Sequence, residues 1–224
     1  MSETTKLSSN DGFELGAYVA RPAGEAIGGL VVIQEIFGVN KHIQSVADGY
    51  AKDGFLVVAP AIFDRAEKNV QLSYEGDDTK KAYDLMKKTE IPKALEDIQA
   101  ALDFVRAQTG KKAGTIGYCL GGLLSWLSAT RLNPDASVGY YAGGIGNFAE
   151  ETPKAPVMLH FGRKDSHIPA EQGEKVKSLH PEVEVFWYDD ADHAFNRDVG
   201  ATYNPQAAKL ARERSLAFLK KNLT

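Results

Sequence analysis

Apolar residues recur along this chain in two alternating kinds of stretch. Short continuous runs lie at 29–33 (GLVVI), 55–59 (FLVVA), 113–116, 137–142 (SVGYYA), 157–161 (VMLHF) and 183–188 (VEVFWY), as expected for strands buried on both faces of a sheet. An opening strand is read at 15–21 (LGAYVAR). Between the runs come longer segments with apolar residues at helical spacing: 42–52 on Ile43, Val46, Ala47 and Tyr50, 77–88 on Ala82, Leu85 and Met86, and 91–108 on Ala94, Ile98, Ala101, Leu102 and Val105. Further helices are read at 123–132, 169–179 and 204–222, the last on Ala207, Leu210, Ala211, Leu216, Phe218 and Leu219. Punctuation agrees: Gln34 to Gly38 break a run where a strand should end, Asp53-Gly54 stop a helix, Pro60 ends a strand and Pro92 suits a first helical turn. Strand and helix alternate from residue 29 onward, which predicts an α/β protein with a mostly parallel central sheet and helices on both faces. Reactive groups in such a sheet collect at the carboxyl ends of the strands.

Composition narrows the class. The 224 residues contain no linker, repeat or low-complexity tract and read as one domain, 1–224. A net charge of −4 without Lys/Arg blocks gives no electrostatic reason to expect nucleic acid or an anionic membrane as partner. No apolar run approaches membrane-spanning length, and the opening Met-Ser-Glu-Thr-Thr-Lys has no signal-peptide core. One cysteine cannot make an internal disulfide, so a reducing cytoplasm is expected. Neither a metal nor a cofactor is expected, and a monomer is the default, although the sequence does not state the oligomeric state.

That cysteine stands in Gly117-Tyr118-Cys119-Leu120-Gly121-Gly122, between strand 113–116 and helix 123–132. G-x-C-x-G is the cysteine counterpart of the G-x-S-x-G nucleophile elbow, whose flanking glycines avoid collision with the neighbouring strand and helix. A helix N-terminus favours an anion, which suits a thiolate. The commoner fate of a lone cysteine is a small buried hydrophobe; glycines on both sides in a strand-to-helix context favour the nucleophile. Such a nucleophile needs a base and a carboxylate to hold the base's tautomer. Of five histidines, His42 and His180 lie in or beside helices and are expected at the surface, while His160 sits inside an apolar strand and is expected in the core. His193 lies in the loop after the last strand, and Asp165 in the loop after strand 157–161. Cys119, Asp165, His193 is also the nucleophile, acid, base order of the α/β-hydrolase fold. His167, two residues after Asp165, competes as base, with a capping or surface role as the plainer reading.

Taken with Gln34-Glu35-Ile36-Phe37-Gly38, Gly139-Tyr140-Tyr141, Gly162-Arg163-Lys164-Asp165 and Asp192-His193-Ala194-Phe195, these pieces resemble the dienelactone hydrolase family (carboxymethylenebutenolidase) over nearly the whole chain. The resemblance implies an α/β-hydrolase fold and hydrolysis of a small lactone or ester through a Cys119, Asp165, His193 triad and an acyl-thioester. It implies that Glu35 contacts the resting thiol and helps generate the thiolate; on residue chemistry alone, a carboxylate directly after a buried strand would be salt-bridged or in water. The early loop and the residue after the nucleophile usually supply the oxyanion donors, here the backbone N–H groups of Ile36 and Leu120. In the family member that hydrolyses dienelactone, two arginines hold the substrate carboxylate. Arg197 matches one, or is a solvated surface charge; at the other position stands Thr79, and neither Lys80 nor Lys81 would reproduce a bidentate guanidinium. Phe37 and Tyr83 match the pocket wall, or are ordinary core aromatics. The alternatives are a general carboxylesterase or thioesterase with no carboxylate requirement, a thiol redox sensor, for which the chain lacks a resolving cysteine, and a non-catalytic binding domain.

Overall fold

The computed structural model describes residues 2–224 and lays eight strands into one sheet. In chain order these are β1 (Ser2–Ser8), β2 (Glu14–Ala20), β3 (Gly29–Ile33), β4 (Leu56–Pro60), β5 (Ala113–Tyr118), β6 (Ser137–Tyr140), β7 (Val157–Gly162) and β8 (Glu184–Tyr188). The spatial order is β1-β2-β4-β3-β5-β6-β7-β8, antiparallel from β1 to β4 and parallel from β4 to β8. The apolar runs fall in the parallel part, where every residue of β3 to β7 is buried. The pattern did not predict β1. Its sequence, SETTKLS, offers one buried apolar residue, Leu7, and it is a strand because its backbone completes the ladder of β2, from Ser2 beside Ala20 to Ser8 beside Glu14.

Six α-helices connect or flank the strands: α1 (Lys41–Lys52), α2 (Asp77–Lys88), α3 (Ile91–Thr109), α4 (Leu120–Arg131), α5 (Ala170–Leu179) and α6 (Pro205–Leu223), with short 3₁₀ turns at Ile62–Arg65 and Ile145–Phe148. The Asn40 side chain caps α1 by accepting from the Ile43 N–H at 3.3 Å, and Asn204 caps α6 by accepting from Ala207 at 3.0 Å. Helices α3 and α4 pack together over β3 to β6, while α1 and α6 are joined by an ion pair of Asp53 and Arg212.

Two boundaries differ from expectation at the site. Helix α4 starts at Leu120, three residues earlier than the apolar pattern indicated, so Gly121 and Gly122 lie inside its first turn. A Cβ on Gly121 would stand 2.3 Å from the Ile33 carbonyl oxygen, and one on Gly122 2.4 Å from that of Tyr140. These glycines let the helix touch the ends of β3 and β6, a packing requirement that reads as a turn in sequence. Strand β6 stops at Tyr140, because Tyr141 takes φ 37° and leaves the extended conformation.

Candidate active site

Cys119 stands between β5 and α4 with φ 54° and ψ −113°, a backbone state that costs a non-glycine residue on the order of 1–3 kcal/mol. Its surroundings impose it. The Cys119 N–H donates to the Tyr140 carbonyl at 3.0 Å, and the Leu123 N–H donates to the Cys119 carbonyl at 3.2 Å. Gly117 must be glycine because a Cβ there would overlap the Gly121 carbonyl at 1.9 Å. The half-buried thiol therefore heads the amino end of a 12-residue helix, where the macrodipole favours a negative charge.

Two loops bring an acid and a base together. The loop after β7 and the loop after β8 are zipped by backbone bonds from Arg163 N–H to the Tyr188 carbonyl (2.9 Å) and from Lys164 N–H to the Ala191 carbonyl (2.9 Å). In this arrangement Asp165 is buried, its Oδ1 accepting from the backbone N–H groups of His167 (2.8 Å) and Ile168 (3.0 Å). Its Oδ2 lies 2.8 Å from Nδ1 of His193. Burial of the His193 ring disfavours its proton, but the Asp165 bond and the neighbouring Cys119 sulfur outweigh burial and raise its pKa from 6.5 to about 10. That environment favours the protonated ring, in the same cavity as Cys119.

Cys119 and His193 line a cavity of about 320 Å³, together with Glu35, Phe37, Thr79, Tyr83 and Arg197. A larger hollow of about 700 Å³ lies beside β2 and contains none of these side chains. Ile36 is buried against Phe37 in a small apolar cluster that Cys119 and Leu120 also touch. The N–H groups of Ile36 and Leu120 have no backbone acceptor among the described residues. Phe37 is buried and meets Tyr74 edge to face at 4.5 Å, and Tyr83, 44% exposed, stands at the mouth.

Glu35 is 2% exposed and has no ion-pair partner among the described residues. The expected contact with the thiol is replaced here by two phenols: Tyr74 donates to its Oε2 at 3.2 Å and Tyr141 to its Oε1 at 3.5 Å. Burial first, then the charges of Glu35, Tyr118 and Cys119, holds the Tyr141 phenol well above its ordinary pKa, so it remains a donor. Arg197 donates from Nε to the Val199 carbonyl (3.0 Å) and lies 4.1 Å over the ring of Tyr74. It is half-buried and carries no carboxylate partner among the described residues. Thr79 is on the cavity wall, but Lys80 and Lys81 are not, and Lys81 is paired with Glu67 at 2.5 Å.

The histidines divide differently from expectation. His167 is exposed and lines the same cavity, its ring 5.2 Å from that of His193, but only its backbone N–H binds Asp165. His160 is a core residue, bonded to Tyr188 and Ser215 and kept neutral by burial, which lowers its pKa to about 3. His42 and His180, expected at the surface, are buried, because each finds a distant partner: His42 binds Asp198 at 2.9 Å and His180 the Ala149 carbonyl at 2.8 Å. Tyr74 and Tyr141 were not identified as site residues in sequence. Tyr141 follows a strand directly, which is a usable signal; Tyr74 lies in a polar loop with none. Among the described residues, no His, Cys, Asp and Glu group is arranged to hold a metal ion, and no helix is long and apolar enough to cross a membrane.

Comparison with known proteins identifies the family and the fold. Residues 15–223 match the family model of the Dienelactone hydrolase family. Carboxymethylenebutenolidase of Pseudomonas putida is 32% identical, over 98% of this chain and 96% of the relative. In fold, the chain is similar to a dienelactone hydrolase-like promiscuous phosphotriesterase from metagenomic libraries, with TM-score 0.77, 20% identity and coverage of 100% of this chain and 99% of that one. It is similar also to an esterase of Pyrococcus furiosus, with TM-score 0.76, 15% identity and coverage of 100% and 92%.

Proposed function

The chain belongs to the dienelactone hydrolase family and is a carboxylic ester hydrolase; we propose that it opens small lactones and esters with Cys119 as nucleophile, His193 as base and Asp165 as its orienting acid. The observation that carries this reading is that Cys119 and His193, the latter bonded to Asp165, face one cavity at the carboxyl ends of β5 and β8. The Cys119 thiolate adds to the carbonyl carbon, and the carbonyl electron pair moves onto oxygen. The N–H groups of Ile36 and Leu120 receive that oxyanion, each such donor being worth about 2.7–4 kcal/mol of barrier. Collapse expels the alkoxide, which takes the proton of His193 and leaves Cys119 as an acyl-thioester. In a lactone the leaving alcohol stays tethered to the acyl group, so the ring opens without loss of a fragment. His193 then takes a proton from water, the hydroxide adds to the thioester, and the thiolate departs to give a carboxylic acid.

In this reading His193 draws the proton from the thiol while Glu35 is held by Tyr74 and Tyr141, and Arg197 meets a substrate carboxylate with Phe37 and Tyr83 against the rest of the molecule. With Thr79 on the other wall, one guanidinium acts alone, so neutral esters remain substrates and a carboxylate confers a modest preference. The partner is a small molecule, and the reaction needs no cofactor. The same reading puts a monomeric enzyme in the reducing cytoplasm, where a lone reactive thiol stays free. The test is hydrolysis of p-nitrophenyl acetate before and after stoichiometric alkylation with iodoacetamide. Alkylation of Cys119 should abolish turnover; full activity of the alkylated protein would sink the assignment.

A further inference from the structure

Tyr74 touches two groups of the site through two different parts of its side chain. Its hydroxyl donates to Glu35 Oε2 at 3.2 Å and lies 3.4 Å from Asn40 Oδ1, and its ring lies 4.1 Å under the Arg197 guanidinium and 4.5 Å from Phe37. Burial, then the charge of Glu35, raises its pKa far above the ordinary value, so the phenol donates at every working pH. Glu35 and Arg197 have no ion pair with each other, and Tyr74 is the side chain that joins them. The other charged or titratable groups facing this cavity are Cys119, His167, His193, Tyr83 and, bonded to Glu35, Tyr141.

We propose that Tyr74 is a positioning residue that divides its work: the hydroxyl holds the Glu35 carboxylate away from the Cys119 sulfur, and the ring holds Arg197 at the height where it meets a substrate carboxylate. This rests on the reading of Cys119 as nucleophile. A carboxylate accepting from the thiol would stabilise the neutral S–H and withhold the thiolate, whereas one held by two phenols leaves the sulfur to His193. The stacked ring limits where the guanidinium can go without taking up its remaining N–H donors, which stay available for a ligand.

The two parts can be removed separately. Tyr74→Phe keeps the ring and deletes the hydroxyl; Tyr74→Leu deletes both. Two readouts are measured on the full chain: the rate of Cys119 alkylation by iodoacetamide, and the ratio of kcat/KM for mono-p-nitrophenyl succinate to that for p-nitrophenyl acetate. With one of two phenol donors lost, Tyr74→Phe should alkylate about tenfold more slowly at pH 7, with the deficit shrinking at pH 9, yet retain the wild-type ratio. Tyr74→Leu should show the slow alkylation and also lose the preference for the succinate. A purely structural role would not split the readouts in this way. Wild-type alkylation in Tyr74→Phe, or the same substrate ratio in both variants, overturns the proposal. Hydrolysis that survives full alkylation of the wild type overturns the nucleophile assignment itself, a failure recognisable without either variant.

Discussion

Nδ1 of His193 and Oδ2 of Asp165 lie 2.8 Å apart across 28 residues of chain, and the second carboxylate oxygen is already engaged by two backbone N–H groups. Asp165 is thus fixed before it meets the imidazole and dictates which ring nitrogen carries the proton. Asp165→Asn keeps the shape but offers the wrong atom to Nδ1. We expect kcat/KM on p-nitrophenyl acetate to fall by roughly 100-fold, short of the loss in His193→Ala. An Asn variant within a few-fold of wild type would show that the pair does not serve the base.

The sulfur and the imidazole are coupled, so replacing one should be visible on the other. The neighbouring Cys119 sulfur contributes to a His193 pKa of about 10. In Cys119→Ser that contribution is lost, and the ring resonances of His193, followed by NMR, should titrate at lower pH than in wild type. The same variant should hydrolyse esters only slowly, and Cys119→Ala not at all, because the turn depends on its glycines and not on sulfur. An unmoved His193 titration would mean the two groups are not in contact.

His167 and His193 share the cavity, which makes the choice of base a direct comparison. His193→Ala should lose about 100-fold to 10,000-fold in kcat, the usual worth of a positioned general base. His167→Ala should lose far less, since its ring bonds neither Asp165 nor Cys119. Equal losses, or a larger one at His167, would reverse the assignment.

Stability should carry a signature of the same pair. The folded pKa of His193, about 10, lies above its unfolded value of 6.5, so the folded state binds the proton more tightly. The resulting stabilisation is complete below about pH 6.5 and is lost as pH rises toward 10. The urea midpoint of wild type should therefore fall between pH 6 and pH 9.5 (roughly the window set by the two pKa values) more steeply than that of His193→Phe. Parallel declines in the two proteins would remove this contribution.

Arg197 lies over Tyr74 with no carboxylate partner among the described residues, available to a ligand. Arg197→Ala should lower kcat/KM for a carboxylate-bearing lactone or ester by about tenfold or more, through KM, and should affect neutral p-nitrophenyl acetate much less. Equal losses on both substrates would assign Arg197 to support of its loop, and would favour a neutral-ester hydrolase.

The parallel core was legible because strands buried on both faces must be apolar throughout, as GLVVI and LVVAP are. Cys119, Asp165 and His193 could be singled out in sequence because they fall in the turn after β5 and in the loops after β7 and β8, at the carboxyl ends of parallel strands. Strand β1 was not, since its only specification is the hydrogen-bonding edge of β2, which leaves no mark on SETTKLS. Tyr74 was equally silent: its role comes from reaching Glu35 across 39 residues. His42 and His180 were misplaced for the same reason, because a helical position indicates a face of its helix and not the loop that later covers it.

The pairing of β3 with β5 also fixes when the site can exist. Gly29 lies beside Ala113 and Ile33 beside Gly117, so the middle of the sheet closes only after a long excursion of chain has been ordered. Contacts so distant in sequence carry a high loop-closure entropy and make such topologies slow to fold. Glu35 and Ile36 leave the end of one of these strands and Cys119 the end of the other, so no shorter local structure brings them together. During refolding, the return of thiol reactivity toward substrate should keep time with that closure and lag the appearance of helix signal. Until then the edge of GLVVI that β5 will cover is an apolar strand edge without its partner, although the other edge can already pair with β4, so dilution should raise the yield of refolded enzyme.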